Sequence, residues 1–163
     1  MKTIKTIAFI LLLTLTAQVK AADNPAIAHL IKAYMGIKDA LVNDNSKAAN
    51  AQAKLFTTAV AEVNNSTPDA GQKTTWTKYA EKLRFNGDHI GESTSIDHQR
   101  EHFASLSDDM YAVIKVFKPA NTILYYDYCP MKKKYWLSQS KAIANPYYGD
   151  DMPDCGKVKE TLK

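Results

Sequence analysis

The sequence predicts a mainly α protein: an up-and-down bundle of four helices followed by an irregular C-terminal appendage of short strands and turns. Three observations carry this. Apolar residues recur at helical spacing in four stretches between residues 26 and 117. Short polar turns rich in Asn, Asp, Ser and Pro separate those stretches, and helices joined that tersely pack as antiparallel neighbours. After Asn121 the texture changes to aromatic, branched, Pro- and Gly-containing sequence without helical periodicity.

The first helix is expected over residues 26–43, with Ile27, Leu30, Ile31, Tyr34, Met35, Leu41 and Val42 on its apolar face and Asn24-Pro25 as cap and first-turn pair. Asp44-Asn45-Ser46 reads as a turn plus the next cap. Residues 47–64 are rich in alanine, the strongest helix former, with Leu55, Phe56, Val60 and Val63 as larger apolar positions. Asn64-Asn65-Ser66-Thr67-Pro68 closes this stretch. A third helix is expected over 70–85 (Trp76, Tyr79, Leu83) and is expected to break at Asn86-Gly87-Asp88. The longest periodic segment, 94–117, carries Ile96, Phe103, Leu106, Met110, Val113, Ile114 and Phe117 and ends at Lys118-Pro119. In the appendage, Ile123 to Cys129 is strand-like.

The N-terminus adds a separate segment. Lys2 and Lys5 precede a nearly unbroken apolar run from Ile7 to Leu15, and Val19-Lys20-Ala21-Ala22 offers small residues for signal peptidase. The run is shorter than the ~20 residues a membrane-spanning helix needs. Residues 1–21 are therefore expected to be a cleaved signal peptide and residues 22–163 one domain, with 22–119 as the bundle and 120–163 as the appendage. This implies a periplasmic or secreted protein with no stable membrane insertion. Removing three signal lysines takes the formal charge from +4 to +1. A nearly neutral domain argues against nucleic-acid binding, which rests on phosphate neutralisation.

The appendage holds the residues with the most distinctive chemistry. Cys129-Pro130-Met131 and Met152-Pro153-Asp154-Cys155 are two pairs of soft donors, and thiolate and thioether sulfur favour Cu(I) and other soft ions. If the turns between them fold one pair onto the other, Cys129, Met131, Met152 and Cys155 form a metal site, with Tyr128, Tyr135, Trp136, Tyr147 and Tyr148 as an aromatic collar. A second reading stands beside it: in an oxidising compartment two cysteines pair as a disulfide, and the methionines are core filling.

His98 and His102, four apart on the last helix, share one face and are a secondary candidate pair for a divalent first-row ion. Their surroundings, His98-Gln99-Arg100-Glu101-His102, differ from the metalloprotease order, in which Glu follows the first His directly. His29 and His89 read as isolated surface histidines. Asp108, Asp109, Asp150, Asp151 and Asp154 lack the spacing of an EF-hand loop and read as solvated acids. The sequence contains no Gly-rich phosphate loop, nucleophile elbow or Ser/His/Asp arrangement. The remaining catalytic reading, Cys129 as a nucleophile with His98 or His102 as base, is the weakest, and the chain is expected not to be an enzyme.

Gln99-Arg100-Glu101, Phe103 and Leu106-Ser107 in the last long helix, together with Cys129-Pro130-Met131, Trp136-Leu137, Asn145-Pro146-Tyr147, Gly149, Met152 and Cys155-Gly156, resemble the bacterial domain-of-unknown-function family 3347 (DUF3347). Its members are exported proteins, and similar domains lie at the C-terminus of some copper and silver efflux adaptor proteins. The resemblance implies heavy-metal handling without catalysis. It also implies a role for Cys129, Met131, Met152 and Cys155 in common with the family's sulfur positions. Tyr128 departs from the family pattern, which in many members has a histidine before the first cysteine. The expectation is a periplasmic protein that binds a soft metal ion, copper above all, in association with an efflux-pump component. The alternative is a disulfide-stapled interaction module that binds no metal.

Overall fold

Four helices and a small antiparallel sheet follow one another along the chain in the computed structural model, which describes residues 24–66 and 68–163. The expected signal segment, 1–21, lies outside the described residues. Helix α1 spans Pro25–Val42, α2 Ser46–Asn64, α3 Ala70–Glu92 and α4 Ile96–Phe117; strand β1 spans Leu124–Cys129, β2 Lys134–Ser138 and β3 Lys157–Leu162. No described helix is long and apolar enough to cross a membrane.

Local chemistry sets the helix starts. Asn24 Oδ1 accepts from the Ala26 N–H with Pro25 in the first turn; Asn45 caps α2 through the Ala48 N–H; Ser95 caps α4 through the His98 N–H. At α3 the Asp69 carboxylate accepts from the Gln72 N–H while the Gln72 side chain accepts from the Asp69 N–H, a reciprocal capping box. Lys118 ends α4 in the left-handed region (φ 43°), and Pro119 cannot extend it. Each helix packs on its successor. The shared core includes the buried residues Ile27, Leu30, Leu41, Phe56, Val60, Leu83, Ile90, Phe103, Leu106 and Met110.

One boundary differs from the sequence expectation. Helix α3 does not break at Asn86-Gly87-Asp88 but continues two turns further to Glu92. Gly87 lies where α3 crosses α2: a Cβ there would sit 2.7 Å from Thr57 Cγ2 and 3.1 Å from the Phe56 ring. The glycine thus serves close helix packing rather than a turn. Asn86 remains helical because its side chain is occupied, its Nδ2 donating to the Lys82 carbonyl at 3.0 Å. The packing of Leu83 and Ile90 on the core outweighs the local turn preference.

The sheet has the order β2-β1-β3 with both pairings antiparallel and a bulge between Tyr126 and Asp127 on the β3 side. It docks on the bundle through polar and aromatic contacts. The Leu137 N–H donates to Tyr34 Oη at 3.0 Å, and Tyr34 shares a 2.7 Å hydrogen bond with Ser107. The rings of Tyr111 on α4, Tyr126 on β1 and Tyr135 on β2 stack in sequence at 3.9 and 4.8 Å. Trp136 and Tyr147 are buried, and Tyr147 packs against both Trp136 and Phe103. The expected aromatic collar is therefore divided: Trp136 and Tyr147 belong to the core, while Tyr135 and Tyr128 continue the tyrosine stack.

Asp127, at the centre of the sheet, is fully buried, and neither carboxyl oxygen has a hydrogen-bond partner among the described residues. Trp136, its partner across the strand ladder, likewise has an unpartnered Nε1. Burial pushes the Asp127 carboxyl up from 3.8 to about 6, with the Lys38 cation pulling weakly the other way. A folded-state pKa above the unfolded one means that the native state holds the proton more tightly. The stability this provides is complete below pH ~4 and is lost as the pH rises through about 6. Asp127→Asn removes the charge at nearly constant shape. It is expected to raise unfolding free energy at pH 7 by roughly 1–3 kcal/mol and to flatten the decline between pH 4 and 6. Denaturant unfolding at pH 4.5 and 7 measures this; a variant less stable than wild type at pH 7 contradicts it.

Candidate functional site

Strand pairing brings the two cysteines together. Cys129 is the last residue of β1, and the β1–β3 register sets Tyr128 opposite Lys157, so the approach to β3 passes beside the end of β1. Cys129 Sγ and Cys155 Sγ lie 3.7 Å apart, and both thiols are free. Cys129 is fully buried and Cys155 half-buried. Met131 stands in the four-residue β1–β2 turn, 66% exposed, and Met152 is half-buried in the facing turn, its carbonyl accepting from the Cys155 N–H at 3.3 Å.

The surroundings set the two thiols apart. Burial raises the Cys129 thiol, but the N–H of Lys132 (3.5 Å from Sγ), the Asn145 side chain, the Cys155 thiol and the Met131 N–H favour its thiolate and hold it below its ordinary value. Burial raises Cys155, and sharing a proton with Cys129 raises it further. One thiolate with a neighbouring protonated thiol is the arrangement that either captures a soft cation or closes to a disulfide.

The residues quoted for the family resemblance hold this loop in place. Arg100 on α4 donates from Nε to the Pro146 carbonyl (2.8 Å) and from Nη2 to the Leu41 carbonyl (3.1 Å) and Asp44 Oδ1 (2.5 Å). Asp44 Oδ2 accepts from the Asp150 N–H at 2.9 Å, and these bonds hold its carboxyl below the usual range. Gly149 has φ +54°, and a Cβ would collide with Asp44 and Arg100. Buried Asn145 accepts from the Tyr147 N–H (2.8 Å) and donates to the Cys155 carbonyl (2.5 Å), connecting the clamp to the cysteine. Gln99 donates from Nε2 to the carbonyls of Ser46, Ile90 and Ser93, closing the end of α3 onto α2 and α4.

His98 and His102 fall on one face of α4, with ring centroids 4.6 Å apart. Continuation of α3 past Asp88 brings His89 beside them, its ring stacked on His102 at 4.3 Å. One ring nitrogen from each of the three lies within 4.8 Å of the others. Burial lowers the His102 pKa, and the neighbouring charges of His89 and His98 lower it further. The sequence sets His89 alone, since a helix ending at 85 leaves it outside any element; the structure places it in the last turn of α3. His29 stands apart, paired with Glu62 at 2.7 Å.

Comparison with curated proteins and with solved structures gives no match. The model of the family described as "Protein of unknown function (DUF3347)" matches residues 30–122, more than half of the chain. The matched range covers the bundle from α1 to the end of α4 and stops before β1, so Cys129 and Cys155 lie beyond it. On that match over the helices that carry the Gln99 and Arg100 contacts, the chain belongs to the DUF3347 family.

Proposed function

We propose that this protein is an exported carrier or buffer for a soft metal ion, copper as Cu(I) foremost, acting in the periplasm alongside a heavy-metal efflux component. The observation that carries the reading is the 3.7 Å approach of two free thiols from residues 26 apart in sequence. Cys129 and Cys155 supply thiolate sulfur, which favours Cu(I) over the harder ions. Met131 and Met152, on the two turns that flank the thiols, supply thioethers. A two-thiolate site is reversible: oxidation to a disulfide removes both donors and releases the ion, so the redox state of the compartment governs loading. The signal-like N-terminus supports the location, and the nearly neutral mature domain suits a small cation better than nucleic acid.

The test is a competition titration of the reduced, purified protein against a Cu(I) chelator, repeated after oxidation. One equivalent of Cu(I) bound by the reduced protein and none by the oxidised form is the expected result. Equal binding by both forms rules out the thiols as ligands. A stable disulfide with no Cu(I) affinity after full reduction favours the interaction-module alternative.

A further inference from the structure

The three histidines at the α3–α4 junction belong to neither the sulfur turns nor the Arg100 clamp. His89 comes from the last turn of α3, and His98 and His102 come from the first two turns of α4, with only residues 93–95 between the helices. A helical hairpin this tight places the end of one helix against the start of the next. Imidazoles four apart on α4 then face the one that descends from α3. The convergence depends on Gly87 and Asn86, which carry α3 two turns beyond its apparent end.

We infer that His89, His98 and His102 form a second metal site, for a divalent first-row cation such as Zn²⁺, independent of the dithiol. Three histidines are a familiar ligand set for such an ion, with a fourth position left to water or another ligand. Nitrogens 2.0–2.1 Å from a tetrahedral ion stand about 3.3–3.4 Å from one another. The ring nitrogens already lie within 4.8 Å, so side-chain rotation alone closes the set.

The supporting contacts match what a metal-binding histidine needs. Asn86 Nδ2 is committed to the Lys82 carbonyl, which leaves its Oδ1 to accept from the His102 Nδ1–H at 3.0 Å. That bond fixes the tautomer and ring orientation and leaves the Nε2 lone pair for an ion. Phe85, over half exposed, packs its ring on His89 at 4.3 Å and near His102 at 5.9 Å, walling one side of the cluster with an apolar surface.

The experiment is a Zn²⁺ titration by calorimetry on the whole purified protein carrying Cys129→Ser and Cys155→Ser, so that sulfur takes no part, with circular dichroism as the folding control. The expected result is one equivalent bound in the micromolar range or tighter. His89→Ala and His98→Ala are each expected to weaken binding at least tenfold, with His29→Ala unchanged. Asn86→Ala is expected to weaken it about 10-fold or more through loss of ring orientation. Proton NMR of the histidine ring resonances gives a second readout: those of His89, His98 and His102 shift on Zn²⁺ addition while that of His29 does not. Absence of binding below millimolar Zn²⁺ in the folded protein without thiols, or equal affinity when His89→Ala is added to it, overturns the inference.

Discussion

Replacing Cys129 by serine is expected to weaken Cu(I) binding at least a hundredfold, about 3 kcal/mol. The serine hydroxyl nearly matches the thiol in shape, but it does not ionise at working pH and offers a hard oxygen to a soft ion. Hydrogen bonds from Lys132, Asn145, Cys155 and Met131 favour the Cys129 thiolate. Cys155→Ser removes the other thiolate and is expected to have a comparable effect, and Met131→Leu or Met152→Leu a smaller one, about tenfold or less. Because binding displaces thiol protons, affinity falls as the pH is lowered. Cys155 limits binding first, since its raised pKa keeps it protonated to higher pH. Chelator competition at two pH values measures all of this, with circular dichroism as the folding control. Wild-type affinity in folded Cys129→Ser contradicts the assignment.

The second large effect is structural. Arg100→Met removes the hydrogen bonds to the carbonyls of Leu41 and Pro146 and leaves the Asp44 carboxylate without its cation. With the Arg100 side chain only 13% exposed, the expected loss is about 2–4 kcal/mol, or roughly 10 °C in Tm. Gly149→Ala attacks the same clamp from the other side, through a positive φ and a Cβ driven into Asp44 and Arg100. The two substitutions share partners and are expected to be less than additive. Asn145 links this loop to the Cys155 carbonyl, so loosening the clamp should also speed alkylation of Cys155. Thermal unfolding and thiol-labelling rates measure both effects. A Tm within 2 °C of wild type in both variants contradicts the clamp's role.

The helices were legible because their information is local: apolar spacing, Asn24-Pro25, Asn45 and Ser95 as caps, and Lys118-Pro119 as a stop all act within a turn or two. The length of α3 was not legible. Asn86-Gly87-Asp88 is a strong turn signal on local grounds, and only the packing of Gly87 on Phe56 and Thr57 of α2 shows that the helix runs through it. With α3 ended at 85, nothing local places His89 beside His98 and His102.

The tail was legible in its chemistry but not in its geometry. Two soft-donor pairs could be recognised, yet sequence alone left open whether they would meet, because that depends on the β1–β3 register. In β3, Val158, Glu160 and Leu162 are half-buried between exposed neighbours, a pattern that the sequence, with a charged residue at 160, does not display. Arg100 and Asn145 were quoted as pattern residues without a role. Their partners lie 46 and 59 residues away in one case and in the adjoining loop in the other, beyond the reach of periodicity.

X-ray absorption at the copper edge of the reduced, Cu(I)-loaded protein tests the central claim most directly. A first coordination shell made only of sulfur, which loses sulfur when Cys129 is replaced by serine, is the predicted result. A shell of nitrogen or oxygen that the substitution leaves unchanged would contradict it.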